Sequence, residues 1–165
     1  MKKLYIIRHA KSSWGDETLD DFERPLNKRG KANAPMMGER LKKTGVIPDI
    51  IISSPAKRAK STAEIIANEV GYKNILFLDD IYEATSETLS KIVKRLDESY
   101  KVIFLVGHNP SLNELAYNLA GFNENIPTCG IVEIEFKCKK WAEIAPQNAK
   151  LVMFEYPKMY KENMI

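Results

Sequence analysis

Short apolar runs that stop abruptly in polar residues constrain this chain more than any other feature of it. Three endings share the pattern: Ile6-Ile7-Arg8-His9, Ile51-Ile52-Ser53-Ser54-Pro55 and Leu105-Val106-Gly107-His108-Asn109-Pro110. Runs this short and this rich in β-branched residues read as buried strands, here over residues 4–7, 49–52 and 102–106. Residues 74–78, 131–136 and 150–154 supply further strands. Asn27 caps a helix over residues 28–43 that Gly45 stops, and Pro35 either kinks it or marks its real start. Ser54 as N-cap and Pro55 at the first helical position open a helix to Val70, closed by Gly71. Residues 87–98 form a helix with Leu89, Ile92, Val93 and Leu96 on one face. Ser111 and Glu114 make a capping box for a helix to Ala120. Strands alternating with helices predict an α/β fold: a three-layer α/β/α sandwich whose central sheet is mostly parallel, with the last strand pair antiparallel at an edge.

Residues 1–165 are expected to form a single domain, since that length matches ordinary domain size. Hydrophobic residues at 44% and charged residues at 28% fit a globular chain and exclude a disordered one. The apolar runs are far shorter than the ~20 residues that span a bilayer, so no membrane partner is expected. The N-terminal apolar stretch is cut by Arg8 and His9 before the ~7–15 residues of a signal peptide core. Cys129 and Cys138 have neither CxxC spacing nor disulfide-scaffold density, which predicts a reduced, cytoplasmic setting. A net charge of +3 suits an anionic ligand but is too small and dispersed to predict nucleic-acid binding.

In open parallel sheets the ligand sits beyond the carboxyl ends of the strands, so both histidines of the chain fall on the ligand-binding edge. Arg58 lies near the start of its helix, and helical side chains lean toward the N-terminus, which aims its guanidinium at the same edge. Arg8, Arg58, His9 and His108 then form a cationic cup suited to a phosphoryl group, whose oxygens arginine matches in a bidentate way. Neighbouring cations push the histidine pKa down, and a neutral imidazole is a nucleophile toward phosphorus. His9, beside Arg8, takes that role if its other nitrogen donates to a backbone carbonyl of the adjacent loop. His108 stabilises charge on the moving group. Arginines repel a cation and no HxxxH or HxH spacing occurs, so no metal or other cofactor is expected. Neither a GxSxG elbow nor a Walker A sequence occurs. Arg24 and Arg29 read as loop-to-helix anchors, and Thr128 as a turn residue.

Leu4-Tyr5-Ile6-Ile7-Arg8-His9-Ala10 resembles the signature of the histidine phosphatase (phosphoglycerate mutase-like) superfamily, usually Arg-His-Gly. The stretches from Ser53 to Glu64 and from Val106 to Pro110 are similar to its second and third signatures. Arg8 through Trp14, followed by Asp21 through Gly30, resembles the SixA-type phosphohistidine phosphatases. The resemblance implies that His9 is the phosphorylated nucleophile, that Arg8, Arg58 and His108 bind phosphate, and that no metal takes part. Ala10 stands where the family usually has glycine. No lid insertion fits into this length, which predicts an open site compatible with a phosphohistidine on another protein. Glu83 lies roughly where the wider family keeps its proton donor. The other readings that the sequence leaves open are a small-molecule phosphomonoesterase, acting on a sugar phosphate or nucleotide, and a non-catalytic phosphate-binding module.

Overall fold

The strands pair as their apolar runs demand. In the computed structural model, which describes residues 1–161, six strands form one sheet. They are β1 (Lys2–Arg8), β2 (Ile50–Ser53), β3 (Ile75–Phe77), β4 (Val102–Gly107), β5 (Ile131–Phe136) and β6 (Ala149–Glu155), in the order β3-β2-β4-β1-β5-β6. The first four run parallel; β5 is antiparallel to β1, and β6 to β5. Five helices accompany them: α1 (Lys28–Lys43), α2 (Lys57–Val70), α3 (Ser86–Lys94), α4 (Ser111–Ala120) and α5 (Pro157–Lys161).

Alternation along the strands divides the core in two. Leu4, Ile6, Ile103 and Leu105 face α3 and α4, while Tyr5, Ile7, Phe104 and Val106 face α1 and α2. The central strands are therefore apolar on both sides and read as continuous hydrophobic runs, as covered parallel strands do. Each fully buried Leu or Ile contributes about 1.5–3 kcal/mol. The result is the expected three-layer α/β/α sandwich with its antiparallel pair at one edge.

Several element boundaries differ from those read in the sequence. Ser54 does not cap α2. Its amide still bonds Val106 O at 3.0 Å, so the backbone is held extended, and the helix starts two residues after Pro55 with Ala56 at the cap position. Ser111 and Glu114 form no capping box. Pro110 occupies the cap position in a helical conformation, and the Ser111 hydroxyl donates to His108 O at 3.0 Å. Helix α3 starts at Ser86, capped by Thr85, and ends at Lys94. Asp97 accepts from the Ser99 amide, a local bond that competes with helix continuation. Asn27 does cap α1, accepting from Gly30 N at 2.8 Å, and the helix runs unbroken through Pro35. The long loop between β1 and α1 is ordered, holding a 3-10 turn at Asp21–Glu23 and a bridge between Ser12 and Leu26.

Candidate active site

Parallel register brings three strand ends together. Arg8 pairs with Gly107, and Ser53 with Val106, so β1, β4 and β2 finish at one edge. The His9 amide extends the pattern by bonding Gly107 O at 3.0 Å. His9 and His108, distant in sequence, consequently lie with ring centroids 5.1 Å apart. Their electrostatic environment includes both Arg8 and Arg58. The four residues expected to form the cup therefore do converge.

Each of them is fixed by its own local contacts. His9 is 8% exposed, and its Nδ1 lies 2.7 Å from Ala10 O. A carbonyl only accepts, so Nδ1 carries the proton and Nε2 keeps its lone pair. The loop is tied down on both sides: the Ala10 amide donates to Thr62 Oγ1 at 2.9 Å, and the Cys129 amide donates to His9 O at 2.9 Å. Arg8 donates from Nη1 to Ile126 O at 3.0 Å. Asn109 Nδ2 donates to the same carbonyl at 2.9 Å, and Asn113 Oδ1 accepts from the Ile126 amide at 2.9 Å. His108 Nε2 lies 2.8 Å from Ser54 Oγ. Arg8 Nε and His108 Nδ1 are buried without a partner among the described residues. Unspent hydrogen-bonding capacity of this kind is rare in folded chains and is tolerated at functional sites.

Burial, more than neighbouring cations, sets the histidines' protonation. It is the first cause that pushes His9 down to about 3, with His108, Arg58 and Arg8 adding to it and the Ala10 bond opposing it. Burial also leads for His108, pushed down to about 4, with Arg58 and Arg8 adding and Asp21 opposing. Neighbouring cations, the one cause read from the sequence, are thus the smaller one. Both rings are neutral at pH 7.

Asp21 is a site residue that sequence reasoning missed, and Tyr82 joins it. Arg58 Nη1 donates to Asp21 O at 2.7 Å, and Nη2 to Asp21 Oδ2 at 3.0 Å. The Tyr82 hydroxyl donates to the same Oδ2 at 2.7 Å, and Arg24 Nη1 to Oδ1 at 2.9 Å. Burial works against the Asp21 charge, but these donors prevail and hold its carboxyl well below the usual range. Tyr82 also sets its ring edge-on to His108, centroids 5.7 Å apart. The available signal was an acidic residue inside a long polar loop beside Arg24-Pro25. Arg24 is an anchor, donating from Nε to Ser13 O at 3.1 Å and from Nη2 to Ser12 Oγ. Glu83 follows Tyr82 with φ 56°, exposed and without a hydrogen bond or ion pair among the described residues. Among those residues no cluster of three His, Cys, Asp or Glu side chains could hold a metal ion.

Known proteins share this fold and parts of this sequence. A candidate phosphohistidine phosphatase SixA from Agrobacterium tumefaciens superposes with a TM-score of 0.83 at 26% identity, over 94% of this chain and 98% of that one. The protein histidine phosphatase SixA in complex with tungstate shares the fold, with a TM-score of 0.82 at 18% identity over 96% and 99% of the two chains. An uncharacterized chloroplastic protein of Arabidopsis thaliana is 31% identical over 152 residues, 86% of this chain and 70% of that protein. The family model for branch 1 of the histidine phosphatase superfamily matches residues 4–105, from within β1 to within β4. The chain belongs to that superfamily.

Proposed function

We propose that this chain is a phosphatase that removes the phosphoryl group from phosphohistidine side chains of signalling or phosphotransfer proteins, through a phosphorylated His9 and without a metal ion. The observation that carries this reading is the His9 tautomer: Nδ1–H is committed to Ala10 O at 2.7 Å, leaving the Nε2 lone pair for phosphorus. In the first step an Nε2–P bond forms while the P–N bond of the substrate breaks, and the departing imidazole takes a proton from solvent. In the second step water attacks phosphorus and the Nε2–P bond breaks. Inorganic phosphate leaves and His9 is restored.

Arg8 and Arg58 hold the phosphoryl oxygens and supply the positive charge that the transfer requires, and His108 contributes a neutral N–H donor. An alkoxide leaving group needs a positioned acid, whereas a phosphohistidine leaves as an imidazole and needs less help. The exposed, unpaired state of Glu83 fits the second kind of substrate. Likeness to the Agrobacterium protein across 94% of this chain supports the same class. So does the placement of the four long helices, which pack on the sheet faces and leave loops at the strand ends.

The test is incubation with a phosphotransfer domain carrying radiolabelled phosphohistidine. Turnover is expected with an acid-labile, alkali-stable adduct on the chain that His9→Ala abolishes, and chelator leaves the rate unchanged. A kcat/KM greater on sugar phosphates or nucleotides than on phosphohistidine would overturn the substrate class, and absence of any adduct would overturn the mechanism. Glu83→Gln is expected to hold phosphohistidine turnover within about threefold, the mark of a leaving group that needs no acid.

A further inference from the structure

A cavity opens on the same edge of the sheet, beside the loop that steadies His9. Ile7 pairs with Ile131, and Ile131 with Glu155, so residues 126–130 and 156–158 leave the sheet where Arg8 and His9 do. Arg29, Asn33, Pro127, Thr128, Tyr156 and Lys158 line a space of about 200 Å³ between them. None of the four cup residues borders it, and neither an Asp nor a Glu does. Two exposed cations, Arg29 and Lys158, therefore face it without a carboxylate.

Asn33 makes this more than a basic surface. It is 5% exposed, lies one helical turn after Arg29 on α1, and borders the cavity, so a buried amide and two exposed cations share one space. The cavity is smaller than the roughly 300–1,000 Å³ of pockets that hold whole metabolites. It admits one functional group.

We propose that this cavity is a second oxyanion site, which takes a phosphate or carboxylate group with Asn33 Nδ2 and the Thr128 hydroxyl as donors and Arg29 and Lys158 as counter-charges. Charge-assisted bonds from guanidinium and ammonium groups to an oxyanion are roughly twice as strong as neutral ones. The loop that steadies His9 serves both sites. Its Ile126 carbonyl receives Arg8 and its Cys129 amide holds His9, while Pro127 and Thr128 wall the cavity. An anionic group seated there lies beside the phosphoryl cup and adds affinity for substrates that carry a second negative charge.

Asparagine side-chain amides are visible in proton–nitrogen correlation spectra, so the site reports on itself. Titration with inorganic phosphate is expected to shift two sets of signals, the backbone amides around His9 and His108 and the Asn33 side-chain pair. In Arg29→Gln/Lys158→Gln the Asn33 response should weaken at least about tenfold while the first set persists. In Arg58→Gln the first set should weaken and the Asn33 response persist. Parallel titration with acetate separates the sources: an Asn33 shift with both anions assigns a general oxyanion site, and one with phosphate alone assigns a phosphate site. No Asn33 shift with either anion overturns the proposal. So does a shift that survives in Arg29→Gln/Lys158→Gln and vanishes in Arg58→Gln. Because the two sets are read separately, failure here leaves the reading of the catalytic cup intact, and failure there leaves this one.

Discussion

At Arg58 the guanidinium is not free to wander. Asp21 accepts from both of its terminal nitrogens and is itself steadied by Tyr82 and Arg24. Asp21→Ala is expected to free Nη2 of Arg58, with Nη1 still on the backbone carbonyl, and to lower kcat/KM by about 10- to 100-fold, the scale on which small misplacement acts. Asp21→Asn, which keeps the shape and one acceptor, should fall between. An Asp21→Ala variant with tighter substrate binding and unchanged kcat would show instead that the carboxylate competes with phosphate for Arg58. The histidines make a second prediction at this scale. Their folded-state pKa values, about 3 and about 4, lie below the ordinary 6.5, so between those limits the unfolded chain binds more protons. Stability is full above pH 6.5 and is lost as pH falls toward 4 and then 3. Denaturant midpoints measured from pH 7 to pH 4 should drop steeply for the wild type and less for His9→Gln/His108→Gln. Equal slopes would mean that the rings are not buried neutral.

Elements place these residues, and they differ in how plainly the sequence announces them. Strand β1 was legible because apolar character ends in charge at one residue, and α1 because Asn27 and Gly45 bracket it. The start of α2 was not, since Ser54-Pro55 has the composition of a helix cap while its backbone belongs to the sheet edge. Ser54 instead serves His108, a contact across the fold that local chemistry does not encode. Asp21 was obscured for the same reason: its partners, Arg58 and Tyr82, are remote in sequence. The junction of α1 with the loop after β1 carries the element-scale prediction. A Cβ on Gly30 would come within 2.2 Å of the Lys11 backbone carbonyl oxygen. Gly30→Ala is expected to cost about 1–3 kcal/mol and to lower activity as well, because the displaced loop carries Asp21. Asn27→Ala removes only a cap and should cost about 1 kcal/mol with kcat/KM preserved. Urea denaturation beside steady-state rates distinguishes the two, and an active, fully stable Gly30→Ala would contradict the close approach.

For the molecule as a whole, the cup joins pieces that fold from separate parts of the chain: the end of β1, the first turn of α2, the end of β4 and a turn in the first loop. A ligand that bridges them binds only the native arrangement, since no short segment contains two imidazoles and two guanidiniums. Oxyanion binding should therefore stabilise the entire fold rather than one loop, by RT ln(1 + [L]/Kd), or about 2.7 kcal/mol at a hundredfold excess over Kd. The measurement is equilibrium unfolding in urea with and without tungstate, in the Arg29→Gln/Lys158→Gln background so that only the cup contributes. Fluorescence of the buried Trp141, which packs in the α3–α4 layer far from the strand ends, reports global unfolding there. The midpoint should rise with tungstate and the slope stay constant, and Arg58→Gln should remove most of the gain. A gain seen by probes near the cup but absent at Trp141 would mean that the strand ends open independently of the core, and the convergence of the four residues would then be a local rather than a global property.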